Sequence, residues 1–200
     1  MHSKYSFQLA TSPEEKNMKN FNPLKNIVLS LIFLSASSFA QIPAKVVPAD
    51  YGYVVKIGDQ MPQFSTTLLN GKTFSNVDLK GKVVMLQFTA SWCSVCRKEM
   101  PFIEKDIWLK NKSNSQFVLT AFDLDEPLEK VTQFQKDIKI TYPMALDPGG
   151  KIFGLVAEKK AGVTRNVILD KTGKIAYLTR LYKEDEFAEM VKVIETLLKK

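Results

Sequence analysis

Histidine and cysteine are the scarcest reactive residues in this 200-residue chain, with one histidine, His2, and two cysteines. A histidine-dependent nucleophilic triad and a zinc site built from Cys and His are therefore disfavoured. A haem attachment site needs His directly after Cys-x-x-Cys, where Arg97 stands. No apolar run reaches the ~20 residues of a membrane-spanning helix. No internal repeat of solenoid or propeller period is present. Nine glycines and nine prolines are too few for a collagen-like or mucin-like chain, and 45% apolar with 24% charged residues suits one globular domain plus a short appendage. The net charge of +7 comes from scattered lysines, so the expected surface is a soluble one with no nucleic-acid patch.

What is present begins with an export signal. Met18, Lys19 and Lys25 precede the apolar residues 27–34 (IVLSLIFL), and small residues then lead to Ser38-Phe39-Ala40 before Gln41. That is a charged, an apolar and a cleavable region in order, and residues 27–40 are too short to span a bilayer. The expectation is a leader over residues 1–40, cleaved after Ala40, which places the protein in the periplasm. The alternative is an uncleaved anchor holding the same domain outside the inner membrane. Residues 1–17 look unlike a signal, which makes Met18 the expected start. No cysteine follows the apolar region, so a lipoprotein anchor is excluded.

Residues 41–56 read as a Pro-containing linker and residues 57–200 as the domain. Residues 57–73 alternate short apolar pairs around an Asn70-Gly71 turn, the pattern of a small hairpin at a sheet edge. The near-continuous apolar runs 83–88 (VVMLQF) and 117–123 (FVLTAFD) predict strands covered on both faces. From Cys93 to Asn111 the apolar residues have helical spacing, and Pro101 removes one backbone donor, predicting a kink or break. A helix over 128–137, a short extended stretch at 142–146, a hairpin of 166–169 with 175–181, and a closing amphipathic helix over 184–200 complete an α/β order.

The cysteines are Cys93 and Cys96, and random placement of two residues gives that spacing roughly one time in a hundred. A purely structural disulfide over so short a loop stabilises by less than about 2 kcal/mol. A metal clip leaves a four-coordinate shell half empty. A redox dithiol at the start of a helix fits best. Cys93 at the helix N-terminus has unpaired N–H groups and the helix dipole to favour its thiolate, and Cys96 one turn on can attack a mixed disulfide formed there. Trp92 reads equally as a wall beside the exposed sulfur or as a core aromatic. With two cysteines only, electrons cannot be relayed within the chain, so donor and acceptor are other molecules.

These residues resemble the TlpA-like thioredoxin-family disulfide reductases, over about residue 57 to the C-terminus. The resemblance rests on Ile57-Gly58-Asp59-Gln60-Met61-Pro62 with Phe64, on Gly81-Lys82-Val83-Val84, on Trp92-Cys93-Ser94-Val95-Cys96-Arg97-Lys98-Glu99-Met100-Pro101, and on Asp170-Lys171-Thr172-Gly173-Lys174. It implies a thioredoxin-like fold, a central mixed β-sheet flanked by helices, with an N-terminal β-hairpin extension. It also implies thiol-disulfide exchange on protein substrates, with electrons from a separate, membrane-bound thiol donor and no cofactor or metal. Glu99 matches a family acid near the dithiol, with a solvated helix carboxylate as the plainer reading. Three positions depart from the family. Val95 replaces the usual Pro before the second cysteine. Gln87 stands where thioredoxin has a buried acid and cannot accept its proton. Thr164 stands where a cis-proline normally faces the dithiol, and a trans peptide is expected there because a non-proline cis bond costs roughly 3 to 4 kcal/mol.

The leading expectation is thus an exported thiol-disulfide oxidoreductase acting as a reductant, since neither Ser94 nor Val95 is the histidine that strongly oxidising relatives carry. A peroxidase is the second reading, but Ala90 and Leu86 occupy the places of the peroxiredoxin Thr/Ser and Pro. A non-catalytic thioredoxin-like binding module, its cysteines oxidised and idle, is the third.

Overall fold

The computed structural model describes residues 45–200; the leader, its cleavage after Ala40 and the alternative start at Met18 lie outside the described residues. A two-stranded antiparallel sheet comes first, β1 (Ser65–Thr67) with β2 (Thr73–Ser75). The main sheet follows: β3 (Val83–Thr89), α1 (Ser94–Ile103), α2 (Leu109–Asn111), β4 (Phe117–Leu124), α3 (Leu128–Ile138), β5 (Met144–Asp147), α4 (Phe153–Val156), β6 (Arg165–Leu169), β7 (Ile175–Arg180) and α5 (Glu184–Lys199). Its strand order is β5-β4-β3-β6-β7, with β3, β4 and β5 parallel and β6 and β7 antiparallel additions. This is a thioredoxin-like α/β fold with a mixed sheet and an appended hairpin.

The period-two alternation of the strands assigns the two faces. Thr89 of β3 reaches Met100 of α1, and Tyr177 of β7 donates to Glu189 of α5, so the dithiol helix and the last helix share one face. Phe102, Tyr182 and Phe187 close the seam between them, Phe102 and Tyr182 stacking at 5.2 Å. On the other face Phe88 and Phe122 meet Phe64 and Phe74 of the hairpin region and Phe153 of α4. Every residue of β3 is buried, as its unbroken apolar run predicts for a strand with helix on one side and hairpin on the other.

Two elements differ from the sequence reading. The linker over 45–56 is packed: the Lys45 ammonium bonds the Leu178 carbonyl and Glu186, and the Tyr53 hydroxyl donates to the Thr179 carbonyl at 2.6 Å. Its aromatic residues are what an open linker would not need: Tyr51 is buried and donates to Glu186 of α5, and the half-buried Tyr53 reaches β6 and β7. The helix after Cys93 does not break at Pro101. It widens instead into a π-turn over Glu104–Trp108 before closing as α2. The wide turn carries Glu104 inward, where its carboxylate accepts from the Thr141 N–H and hydroxyl.

Candidate active site

β3 delivers the chain to a turn that is held from outside. The Ser91 N–H and hydroxyl both donate to the Glu126 carboxylate, at 2.6 and 2.8 Å, and Glu126 is also paired with Lys130. Burial by itself raises the Glu126 pKa, but Lys130 and the two Ser91 donors outweigh it and hold the carboxyl below its ordinary range. The turn places Cys93 at the N-cap of α1, and the Cys96 N–H donates to Cys93 Sγ at 3.2 Å. That bond is available to a thiolate as readily as to a sulfide, and a thiolate also gains from the helix dipole.

Cys93 and Cys96 form a disulfide. Cys93 is 8% exposed and Cys96 fully buried, so an incoming group reaches the first sulfur and not the second. Facing them is the loop before β6. The Thr164 hydroxyl lies 3.2 Å from each sulfur, and since disulfide sulfurs carry no hydrogen, the hydroxyl is the donor. The position that holds proline in relatives of this kind therefore brings a polar, hydrogen-bonding group against both sulfurs.

Trp92 is 64% exposed, which removes the core-aromatic reading and leaves it as a wall of the groove beside Cys93. Glu99 is not a solvated helix carboxylate: it is 2% exposed and faces the sheet three residues beyond Cys96. Its Oε1 accepts from Asn166 Nδ2 at 2.7 Å. Burial pushes its pKa up to about 7, with the Asn166 hydrogen bond offsetting part of the effect. Gln87 lies beneath, accepting from the Tyr142 hydroxyl at 2.9 Å. The site thus has a buried acid after all, contributed by the helix rather than by β3.

Sequence reasoning missed Asp123, Glu126 and Arg165. Asp123 is fully buried at the end of β4, in register with Thr89, and its carboxyl is raised to about 8 by burial and then by the Glu126 charge. Its one signal is an acid closing an otherwise apolar run. Arg165 is fully buried, its guanidinium 4.6 Å from the Tyr53 ring centroid and 5.8 Å from that of Phe153. Nothing in sequence spacing ties Arg165 to Tyr53.

Comparison with known proteins agrees with this geometry. The Redoxin family profile matches residues 56–198. The thiol-disulfide oxidoreductase ResA of Bacillus cereus is 32% identical over 158 residues, covering 79% of this chain and 87% of that protein. A Bacteroides thetaiotaomicron protein of known solution structure is 59% identical, with a TM-score of 0.73, covering 74% of this chain and 94% of that one. A secreted thiol-disulfide isomerase from Corynebacterium glutamicum, at 17% identity and a TM-score of 0.64 over 78% of this chain and 97% of that one, shares the fold. With the dithiol at the mouth of α1 and this kinship on record, the chain belongs to the Redoxin family and is a thioredoxin-like thiol-disulfide oxidoreductase acting through the Cys93–Cys96 pair.

Proposed function

We propose that the chain is an exported disulfide reductase in which Cys93 is the nucleophile, Cys96 the resolving thiol, Glu99 the proton acceptor and Thr164 the group that holds both sulfurs. The observation that carries this reading is the Thr164 hydroxyl at 3.2 Å from each sulfur, above a dithiol of which only Cys93 is open to a partner. In the reduced protein that hydroxyl accepts from the Cys96 thiol while donating to the Cys93 thiolate, so it distinguishes the two sulfurs electrically.

The Cys93 thiolate attacks one sulfur of a substrate disulfide, forming a mixed disulfide and expelling the first substrate thiolate. Cys96 then gives its proton to the buried Glu99 carboxylate and attacks Cys93 Sγ, expelling the second thiolate. The substrate gains two electrons and, with solvent protons, becomes a dithiol; the chain is left as the disulfide. A separate thiol donor restores the dithiol by the reverse exchange, since a chain with two cysteines has no internal relay; the donor proposed is a membrane-bound thiol protein. The leader over residues 1–40 supports an extracytoplasmic site for this cycle, and Ala40 is the proposed cleavage point.

The reductive direction is supported by Ser94 and Val95, neither of which supplies charge to stabilise the reduced form. A reduction potential below about −200 mV from redox-buffer equilibration is expected, and one near −120 mV would reverse the direction. Cys96→Ser is expected to accumulate mixed disulfides with substrate proteins, and a variant that traps none would sink the assignment of Cys93 as nucleophile.

A further inference from the structure

We propose that the groove beside the dithiol selects polypeptide substrates that carry a carboxylate next to the reacting cysteine. The inference rests on the oxidoreductase reading above and adds the chemistry of the partner. The groove encloses about 460 Å³ and runs from Trp92 and Cys93 across the loop before β6 to Arg180 and Leu181. Its apolar contacts are unusual in being exposed, with Trp92 at 64% and Leu181 at 40%. Leu181 is held there at φ +63°, a left-handed conformation that a branched residue adopts at a cost, and its N–H donates to the Thr164 carbonyl.

The polar rim of the groove is cationic. Lys159 and Lys160 stand exposed on the loop, and Arg180 enters from the end of β7. Among the described residues none of the three forms an ion pair, whereas Lys45, Lys110 and Lys130 each have a carboxylate partner. The Arg180 guanidinium lies against Gly162, on ground a Cβ would occupy, and its Nη1 is buried with no hydrogen-bond partner. Arg165, directly behind the loop, leaves both Nη atoms unpartnered as well. Two acids lie near this cluster: Glu158 beside Arg165, and Glu186, whose carboxylate accepts from the Arg180 backbone N–H. Exposed Lys159 and Lys160 and the half-buried Arg180, cations without an ion-pair partner at the rim, gain a charge-assisted bond when a carboxylate arrives. The exposed Trp92 and Leu181 make room for side chains on either side of that carboxylate, which favours a peptide segment over a small anion.

The test uses the pre-reduced chain and three disulfide-linked fluorescent peptides, identical except that the residues flanking the cysteine are acidic, neutral amide or lysine. At low ionic strength the expected rate order is acidic, neutral, lysine, with the acidic peptide ahead of the neutral one by on the order of tenfold. That lead shrinks as salt is added. It falls below about twofold in Lys159→Gln/Lys160→Gln/Arg180→Gln, and Lys159→Glu/Lys160→Glu, which touches exposed residues only, inverts the order. Equal rates for the three peptides, or a preference that survives both variants, overturn the proposal while leaving the oxidoreductase reading in place. Glutathione disulfide reduced faster than the acidic peptide also overturns it, assigning the cations to a small anionic disulfide. Failure to reduce any peptide overturns that reading and this inference together.

Discussion

Glu99 of the dithiol helix and Asn166 of β6 are joined by a 2.7 Å hydrogen bond in which the carboxylate accepts, and the other carboxylate oxygen is buried with no partner. One amide is too little to replace the water that a carboxylate loses, so the neutral acid is favoured over a wide pH range. The same half-satisfied group is the one proposed to take the Cys96 proton. Its strained solvation is what brings its proton affinity near that of a thiol in use at neutral pH.

The sign of the resulting stability effect is definite. Glu99 is raised from 4.5 to about 7, so its contribution is fully present below pH 4.5 and is lost as pH rises through 7. Glu99→Gln keeps the hydrogen-bonding shape without the ionisation. Relative to the parent, the variant is expected to gain up to about 3 kcal/mol between pH 4 and pH 8, in urea unfolding of the oxidised form. The same variant is expected to slow the resolution of mixed disulfides by about 10²-fold, as loss of a proton acceptor does. An unchanged pH profile of resolution would remove Glu99 from the reaction.

Asp123 carries the same sign in a different window. Burial and the neighbouring Glu126 charge raise it from 3.8 to about 8, so stability attached to the neutral acid is lost as pH climbs toward and past 8. Asp123→Asn is expected to flatten the decline in denaturation midpoint between pH 6 and pH 9. Glu126→Gln, which removes the neighbouring charge, is expected to lower the Asp123 pKa, as read from carboxyl chemical shifts. A profile as steep in Asp123→Asn as in the parent would assign the decline to other groups.

Thr164→Val removes the hydroxyl and keeps the shape. The Cys93 thiolate then loses a donor worth about 1.5–3 kcal/mol, a rise of about one to two units in the thiol pKa. Thiolate ultraviolet absorbance across a pH titration measures it. Thr164→Ser, which retains the donor, is expected to restore the value, a rescue that a packing defect would not show.

The segment 45–56 covers buried charge, so its removal reaches further than its length suggests. A chain beginning at Ile57 loses the Tyr53 hydroxyl bond to Thr179 and the ring that faces the Arg165 guanidinium. The expected loss is at least about 3 kcal/mol of unfolding free energy, the scale of exposing or unpairing a buried charge. Equal stability of the two chains would return the segment to a linker.

The parallel strands and the dithiol helix were legible because their signals are local. An unbroken apolar run such as 83–88 needs cover on both faces wherever it lies, and two cysteines one helical turn apart can meet in any fold that gives them a helix N-terminus. The redox pair and the mixed α/β order follow from such patterns. Glu99 illustrates the boundary. Its spacing from Cys96 was readable, but whether it faced solvent or sheet depended on β6 bringing Asn166 opposite it.

Long-range pairing decided the rest. Thr164 lies 68 residues beyond Cys96 and reaches it because β6 joins β3 antiparallel. Trp92 was equally compatible with core and surface until the Ser91–Glu126 contact fixed the turn. Arg165 could be buried because Tyr53, on a segment that reads as a linker, supplies a π-face. The sequence by itself determined which chemistry was available, since bond-making atoms are a matter of composition and local spacing. The environment of those atoms, buried or open, paired or unpaired, was decided by the tertiary structure, because desolvation and hydrogen bonding depend on what the rest of the chain brings alongside.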